Sequence, residues 1–239
     1  LVNSAAAHCL RQAPRRAAPV RALCSAPTPP QRDNKLLEFA NLDLAPQLKR
    51  NILKLGYSTA TPVQTETLPP LLAGVDVVAK ARTGTGKTLA FLIPTLQRLL
   101  EERREKPGQI RALVLSPTRE LAAQIAEAAA GLTADGSLKT ACIFGGTNMA
   151  RDRRTLSGEV DLLVATPGRL WDHISNEGLA PRLRGVTTLI LDEGDRLLDQ
   201  GFAKQVGQIV DCLPTGRQSL CFSATMPTEL ASVLARTLK

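Results

Sequence analysis

The sequence predicts an α/β fold, a parallel sheet with helices on both faces, preceded by a disordered N-terminal tail. Three observations predict it. From residue 40 onward short apolar runs alternate with longer segments of helical periodicity, and repeated alternation of that kind builds a parallel sheet covered on both sides. A glycine-rich turn, Lys80-Ala81-Arg82-Thr83-Gly84-Thr85-Gly86-Lys87-Thr88, directly follows the apolar run Val75-Asp76-Val77-Val78-Ala79. Farther on, Leu189-Ile190-Leu191 runs into Asp192-Glu193, the pattern of a buried strand that delivers carboxylates to the edge of the sheet where α/β ligand sites lie.

Taken in chain order, strands are expected at 75–79, 111–115, 139–144, 161–165, 187–192 and 218–222, because each is a short apolar run bounded by turn residues. Helices are expected between them at 87–105, 118–131, 147–156, 167–176, 202–212 and 227–238, where apolar residues recur at helical spacing. Pro94 falls inside the first of these and is expected to kink or split it, since proline removes a hydrogen bond and clashes with the preceding turn. The mixed charges of 101–108 read as a solvated helix end and loop. No internal repeat is visible.

The chain of 239 residues is 44% apolar, enough for one substantial α/β core. No apolar run approaches the ~20 residues that span a bilayer, so no membrane partner is expected. Five cysteines, an odd number without a C-x-x-C pair, indicate neither a disulfide framework nor a structural metal. His8 and His173 stand alone and receive no role. Residues 1–32 contain five arginines and no acid before Asp33. That composition is expected of an organelle transit peptide, mitochondrial rather than chloroplast because alanine and arginine dominate over serine, and it is set outside the fold. A basic arm in a nuclear or cytoplasmic protein is the alternative. The segment holds +5 of the net +8, leaving +3 for the rest, so charge alone argues only weakly for a nucleic-acid partner.

The glycine-rich turn carries the sharpest chemistry. Gly84 and Gly86 allow backbone angles that other residues resist, and their bare Cα atoms let phosphate oxygens approach the main-chain N–H groups of Ala81, Arg82, Thr83, Gly84, Thr85 and Gly86. Lys87 is placed to reach the β- and γ-phosphates, and the Thr88 hydroxyl to ligate Mg²⁺. The general pattern begins with glycine, whereas Ala81 stands there in this chain. Asp192 completes the metal site, and Glu193 is placed to orient or deprotonate an attacking water. Glu193, Lys87 and Asp192 are therefore the candidate catalytic residues, with Thr88 and Asp192 the candidate metal contacts.

The remaining motifs, in order and spacing, resemble the first RecA-like domain of DEAD-box ATP-dependent RNA helicases over roughly residues 36–239. Phe39, Gly56-Tyr57 and Thr61-Pro62-Val63-Gln64 look like the adenine-sensing Q motif with its upstream aromatic. The Gln64 amide, which can donate and accept at once, suits an adenine edge, and Phe39 a stacked base. Pro117-Thr118-Arg119, Gly145-Gly146 and Thr166-Pro167-Gly168-Arg169 look like RNA-contacting elements. Their amides, hydroxyls and guanidinium groups suit phosphate and sugar, so binding should be largely sequence-independent. Ser223-Ala224-Thr225 looks like the element that couples hydrolysis to RNA rearrangement, with Asp195 bonded to Ser223 or Thr225.

The resemblance implies three regions: a tail at 1–32, a Q-motif helical entry region at 33–72 and a RecA-like ATP-binding domain at 73–239. It implies a monomer, two such domains in the whole helicase, ATP and Mg²⁺ as ligands, and RNA as partner. It further implies an ATP-dependent RNA helicase or RNA chaperone that couples hydrolysis to local duplex unwinding. A non-catalytic ATP-gated RNA clamp and a small-molecule P-loop enzyme remain alternatives. Two departures stand out. Gly194 occupies the position where alanine is typical, and a missing methyl costs up to ~1 kcal/mol in a helical turn. The chain also opens on Leu1 and ends at Lys239 with nothing resembling the second RecA-like domain, so a fragment is expected. Without that domain's arginines, worth ~10³–10⁵ in related phosphoryl transfers, it should bind ATP weakly and turn over slowly.

Overall fold

The computed structural model describes residues 21–24, 37–102, 104 and 106–237. Seven parallel strands form one sheet among these residues: β1 (Arg21–Cys24), β2 (Val77–Lys80), β3 (Ala112–Leu115), β4 (Thr140–Ile143), β5 (Leu162–Ala165), β6 (Thr188–Asp192) and β7 (Gln218–Ser223), in the order β1-β2-β7-β6-β3-β5-β4. Six of them coincide with the predicted strands to within two residues at either end. The added edge strand β1 falls inside the segment 1–32 that the sequence places outside the fold; it pairs Arg21 with Val77 through Cys24 with Lys80. The rest of that tail lies outside the described residues.

The helices are α1 (Pro46–Lys54), α2 (Pro62–Leu72), α3 (Lys87–Glu101), α4 (Arg119–Leu132), α5 (Met149–Ser157), α6 (Pro167–Asn176), α7 (Ala180–Leu183), α8 (Gly194–Asp199), α9 (Ala203–Asp211) and α10 (Thr228–Thr237). Their starts are written locally. Thr61 and Gln64 form a reciprocal capping box ahead of Pro62 at the first turn of α2. Thr118 accepts from Leu121 N at 3.3 Å to cap α4, and Asn148 accepts from Ala150 N at 2.8 Å to cap α5. The short α7 and α8 were not expected, because four or six residues cannot display a helical period.

Alternation along the strands divides the core into two layers. Ala112, Val114, Ile190, Leu220 and Phe222 point to one face, where they meet Leu48, Ile52, Leu68 and Phe91 from the helices before β3. Leu113, Leu115, Leu189, Leu191 and Cys221 point to the other, against Leu170, Leu197, Val206 and Ile209. Helices thus cover both faces, as predicted.

Pro94 does not split α3, which runs unbroken over 87–101. A proline inside a helix costs roughly 3 kcal/mol. Phe91, Leu92, Ile93 and Leu96 of this helix are fully buried, and burying such side chains contributes about 1.5–3 kcal/mol each. Packing outweighs local propensity here.

Because every pairing is parallel, all strand ends share one rim. The register sets Lys80 beside Ser223 and Asp192 beside Phe222, so the loop after β2 and the carboxylates after β6 flank the end of β7. Leu115, Ala165 and Ile143 are likewise level, which brings out the loops after β3, β5 and β4 at the same height farther along.

Candidate functional site

The glycine-rich loop adopts the conformation its glycines permit. Gly84 and Gly86 have φ of 80° and 91°, the left-handed region that side chains resist. A Cβ on Gly86 would also lie 2.6 Å from Gln64 Nε2. Ala81, by contrast, has no positive φ; its N–H donates to Ser223 O at 2.9 Å, continuing the sheet. Glycine is unnecessary at that position. Thr61 Oγ1 donates to Thr85 O at 2.9 Å, and Gln64 Nε2 donates to Gly86 O at 2.9 Å, so the start of α2 holds the loop from outside.

Lys87 opens α3 with its ammonium buried and 3.9 Å from Glu193 Oε1. Glu193 also pairs through Oε2 with Arg196 at 3.0 Å. Its backbone is left-handed, φ 49°, and it is the only non-glycine residue with positive φ among the described residues. A conformation of that kind costs on the order of 1–3 kcal/mol and persists where surrounding structure enforces it, commonly at functional sites. Lys87 Nζ and Asp192 Oδ1 are buried without a hydrogen-bond partner, and buried Glu193 Oε2 has its ion pair with Arg196 alone. Burial pushes the Asp192 carboxyl up to about 6; the Lys87 charge opposes this and the Glu193 charge adds to it.

Asp195 joins β6 to β7. Its carboxylate accepts from both the N–H and the hydroxyl of Thr225 at 2.8 Å, while its own N–H donates to Ser223 Oγ at 3.0 Å. Burial works to raise its pKa, but these hydrogen bonds outweigh it and hold the carboxyl below its ordinary value.

Two sequence expectations are corrected. Phe39 is fully buried in the core with Leu48 and Ile52, so its ring cannot stack on a base. Its periodicity could not separate an aromatic wedge from a ligand contact. Tyr57 is instead exposed. Arg169 lines the rim groove, yet most of its guanidinium is committed within the fold: it is buried, pairs with Asp152 at 3.4 Å and donates to Thr147 O at 2.5 Å. Gln64 keeps only part of its capacity, since its Oε1 accepts from Thr61 N at 2.8 Å and one Nε2 hydrogen is committed to Gly86; one donor and one acceptor position remain.

The other predicted residues do converge. Pro117, Thr118, Arg119, Gly145, Thr166 and Gly168 line a groove of about 500 Å³ on the rim. Gly146 has φ 85°, and a Cβ there would run into the Arg119 guanidinium, whose Cζ would be 2.6 Å away. Thr166 Oγ1 accepts from Gly145 N at 3.3 Å, leaving its O–H free to donate. Pro167 starts α6 and is buried. Glu120, Arg169 and Asp172 line the groove too, and sequence reading missed Gln200 and Phe202, because the turn after α8 carries no motif of its own. It also missed Asp152, whose charged neighbours mask it. Its spacing from Met149 and Leu156, i−3 and i+4, was the available signal of a buried face.

A family model described as DEAD/DEAH box helicase matches residues 61–233. The chain belongs to this family. It is 43% identical over 202 residues to DEAD-box ATP-dependent RNA helicase 25 of Oryza sativa subsp. japonica, covering 82% of this chain and 34% of that protein. It is 41% identical over 212 residues to ATP-dependent RNA helicase has1 of Aspergillus niger, covering 88% and 35%. The fold is similar to the crystal structure of a DEAD box protein from the hyperthermophile Methanococcus jannaschii, with a TM-score of 0.76 at 34% identity, covering 84% of this chain and 53% of that one. The chain spans about a third of the length of these curated relatives.

In this DEAD-box chain, Gly194 replaces the alanine of the name-giving motif. A Cβ there would lie 3.0 Å from Cys221 Sγ and 3.1 Å from Leu230 Cδ1. Overpacking costs about 1–3 kcal/mol, against a helix-propensity gain of up to about 1 kcal/mol. Gly194→Ala should therefore lower unfolding free energy by about 1 kcal/mol, and adding Cys221→Ala should recover it in denaturant titrations; a single variant more stable than its parent would contradict this packing.

Asp192 supplies a pH test with two opposite signs. Its folded pKa of about 6 exceeds the ordinary 3.8, so it contributes stability that is fully present below pH 3.8 and lost as pH rises through about 6. A metal held by Asp192 would need the ionised form, so if this carboxylate is the Mg²⁺ contact, nucleotide binding should weaken as pH falls through the same window. Asp192→Asn should raise the melting temperature at neutral pH and remove the pH step from nucleotide binding. A lowered melting temperature with the step retained would contradict the assignment.

Proposed function

We propose that the chain binds Mg²⁺-ATP between the loop 81–88 and the carboxylates at 192–193. We further propose that it is the ATP-binding part of an RNA-dependent ATPase of helicase type, which couples hydrolysis to local duplex unwinding. The observation that carries this reading is two buried polar atoms without hydrogen-bond partners at the mouth of a glycine loop, Lys87 Nζ and Asp192 Oδ1, with the Glu193 carboxylate beside them. Burying such groups is costly unless something pairs with them, and a magnesium triphosphate supplies both signs of charge they lack. Among the described residues no group of three or more His, Cys, Asp or Glu could hold a metal unaided, which suits Mg²⁺, a cation commonly bound by one or two carboxylates together with substrate phosphates.

In this reading the loop amides and the α3 N-terminus bind the phosphates, and Lys87 holds the γ-phosphate oxygens. Thr88 and Asp192 would hold Mg²⁺, which when bound neutralises charge on the transferring phosphoryl group. Glu193, fixed by its left-handed backbone, orients the attacking water and accepts its proton. A cavity of about 410 Å³ beside the loop, lined by Thr61, Glu66, Thr67 and Arg82, is large enough for a base and sugar. Gln64 is buried and outside that lining, so in this reading it acts through the Thr61 and Gly86 backbone that it holds. The groove at 117–119, 145 and 166–168 would take one RNA strand by its phosphates and 2′-hydroxyls, largely without regard to sequence.

Phosphate release from Mg²⁺-ATP by the full-length protein, with and without single-stranded RNA, tests the reading. RNA should accelerate release, and Glu193→Gln should slow it about 10²–10⁴-fold while nucleotide binding persists. Release indifferent to RNA would overturn the reading, and turnover driven by a small metabolite would favour a different P-loop enzyme. We propose also that residues 1–32, rich in arginine and free of acids, direct the protein to mitochondria. Fused to a fluorescent protein they should send it to that organelle, and a diffuse or nuclear signal would sink this part.

A further inference from the structure

Asp152 is almost fully buried on α5, although its neighbours Arg151, Arg153 and Arg154 are exposed. A carboxylate is rarely placed so unless it is paired. Three groups face it: Arg169 Nη1 at 3.4 Å, His173 Nε2 at 3.5 Å and Thr147 Oγ1 at 3.2 Å from each carboxylate oxygen. The Thr147 hydroxyl has one proton, shared between this carboxylate and Phe144 O at 2.8 Å. Arg169 closes the circuit by donating to Thr147 O at 2.5 Å and by contacting the Met149 sulfur. Asp152 and Arg169 therefore grip Thr147 from side chain and main chain together. Thr147 directly follows Gly145-Gly146, whose turn lies under Arg119 and whose first amide donates to Thr166 Oγ1.

We propose that Asp152 is a positioning residue for RNA binding: it locks Arg169 onto Thr147 and so fixes the Gly145-Gly146 turn in the shape that presents its edge to a phosphodiester backbone. The inference rests on the reading of the groove as an RNA site. Arg169 lines the groove but acts chiefly from within, as a clamp on the loop. Replacing Asp152 by asparagine leaves shape nearly unchanged but removes the charge that holds the buried guanidinium, which is the change expected to release the turn. The Mg²⁺-nucleotide site, on the far side of β6, shares none of these contacts.

Fluorescence anisotropy of a labelled short single-stranded RNA, with parallel titration of a fluorescent adenine nucleotide and Mg²⁺, tests this on the whole chain. Asp152→Asn is expected to weaken RNA binding about tenfold, or about 1.4 kcal/mol, with nucleotide affinity within twofold of the parent. Asp152→Glu, which keeps the carboxylate, is expected to recover most of the loss. Should Asp152→Asn fail to fold, Thr147→Val removes the hydroxyl alone and is expected to weaken RNA binding about threefold with nucleotide binding intact. If the parent binds RNA and the Asp152→Asn chain binds it equally well, the positioning role is wrong. Tighter binding also overturns it, for it would mean that Asp152 withholds Arg169 from RNA. A parent that binds nucleotide but no RNA removes the groove reading itself, and this proposal with it.

Discussion

Two opposite charges, the Lys87 ammonium and the Glu193 carboxylate, face each other at 3.9 Å with almost no access to water, and much of the rim is arranged around keeping them there. Such a pair is not a source of stability by default, because desolvation can exceed the attraction. Its position follows from sheet order. A parallel sheet puts strand ends together, and placing β7 between β2 and β6 sets a lysine from one loop against a carboxylate from another. The left-handed Glu193 then turns its side chain out of the strand at the start of α8.

Ser223 ties this arrangement to its surroundings. Its carbonyl accepts the N–H of Ala81, at the start of the glycine loop, and its hydroxyl accepts the N–H of Asp195. One residue at the end of β7 is thereby bonded to both halves of the proposed nucleotide site, while Asp195 reaches onward to Thr225. A displacement of the strand end would be felt by the loop and by the acidic turn at once. The groove beyond β3 is built from separate parts, with glycine turns and hydroxyls held by a buried ionic cluster.

Much of this was legible in the sequence, and the reasons differ by residue. Strands such as Leu162–Ala165 are short apolar runs that carry their own boundaries, and Gly84-Thr85-Gly86-Lys87-Thr88 combines backbone freedom, charge and a hydroxyl at fixed offsets. Gly86 was legible from its place in that loop, and the structure adds a second reason for it, since Gln64 lies too close for a side chain. Phe39 and Arg169 misled because residue type and motif position say nothing about burial: an aromatic and a guanidinium of types that suit a ligand are instead largely enclosed by neighbours distant in sequence. Pro94 misled because a local rule yielded to a helix buried on nearly all sides. Asp152 was hidden in a run of arginines, where only the third dimension separates the one buried charge from the exposed ones.

The central claim is that one magnesium triphosphate lies between the loop at 81–88 and the carboxylates at 192–193. Anomalous diffraction from crystals of the chain with Mn²⁺ in place of Mg²⁺ and a non-hydrolysable ATP analogue tests it most directly. The account predicts a manganese peak between the Thr88 hydroxyl and Asp192, with the phosphates along the loop and Lys87 on the terminal one. Manganese or nucleotide bound elsewhere, with Asp192 out of reach even through a water, would contradict it.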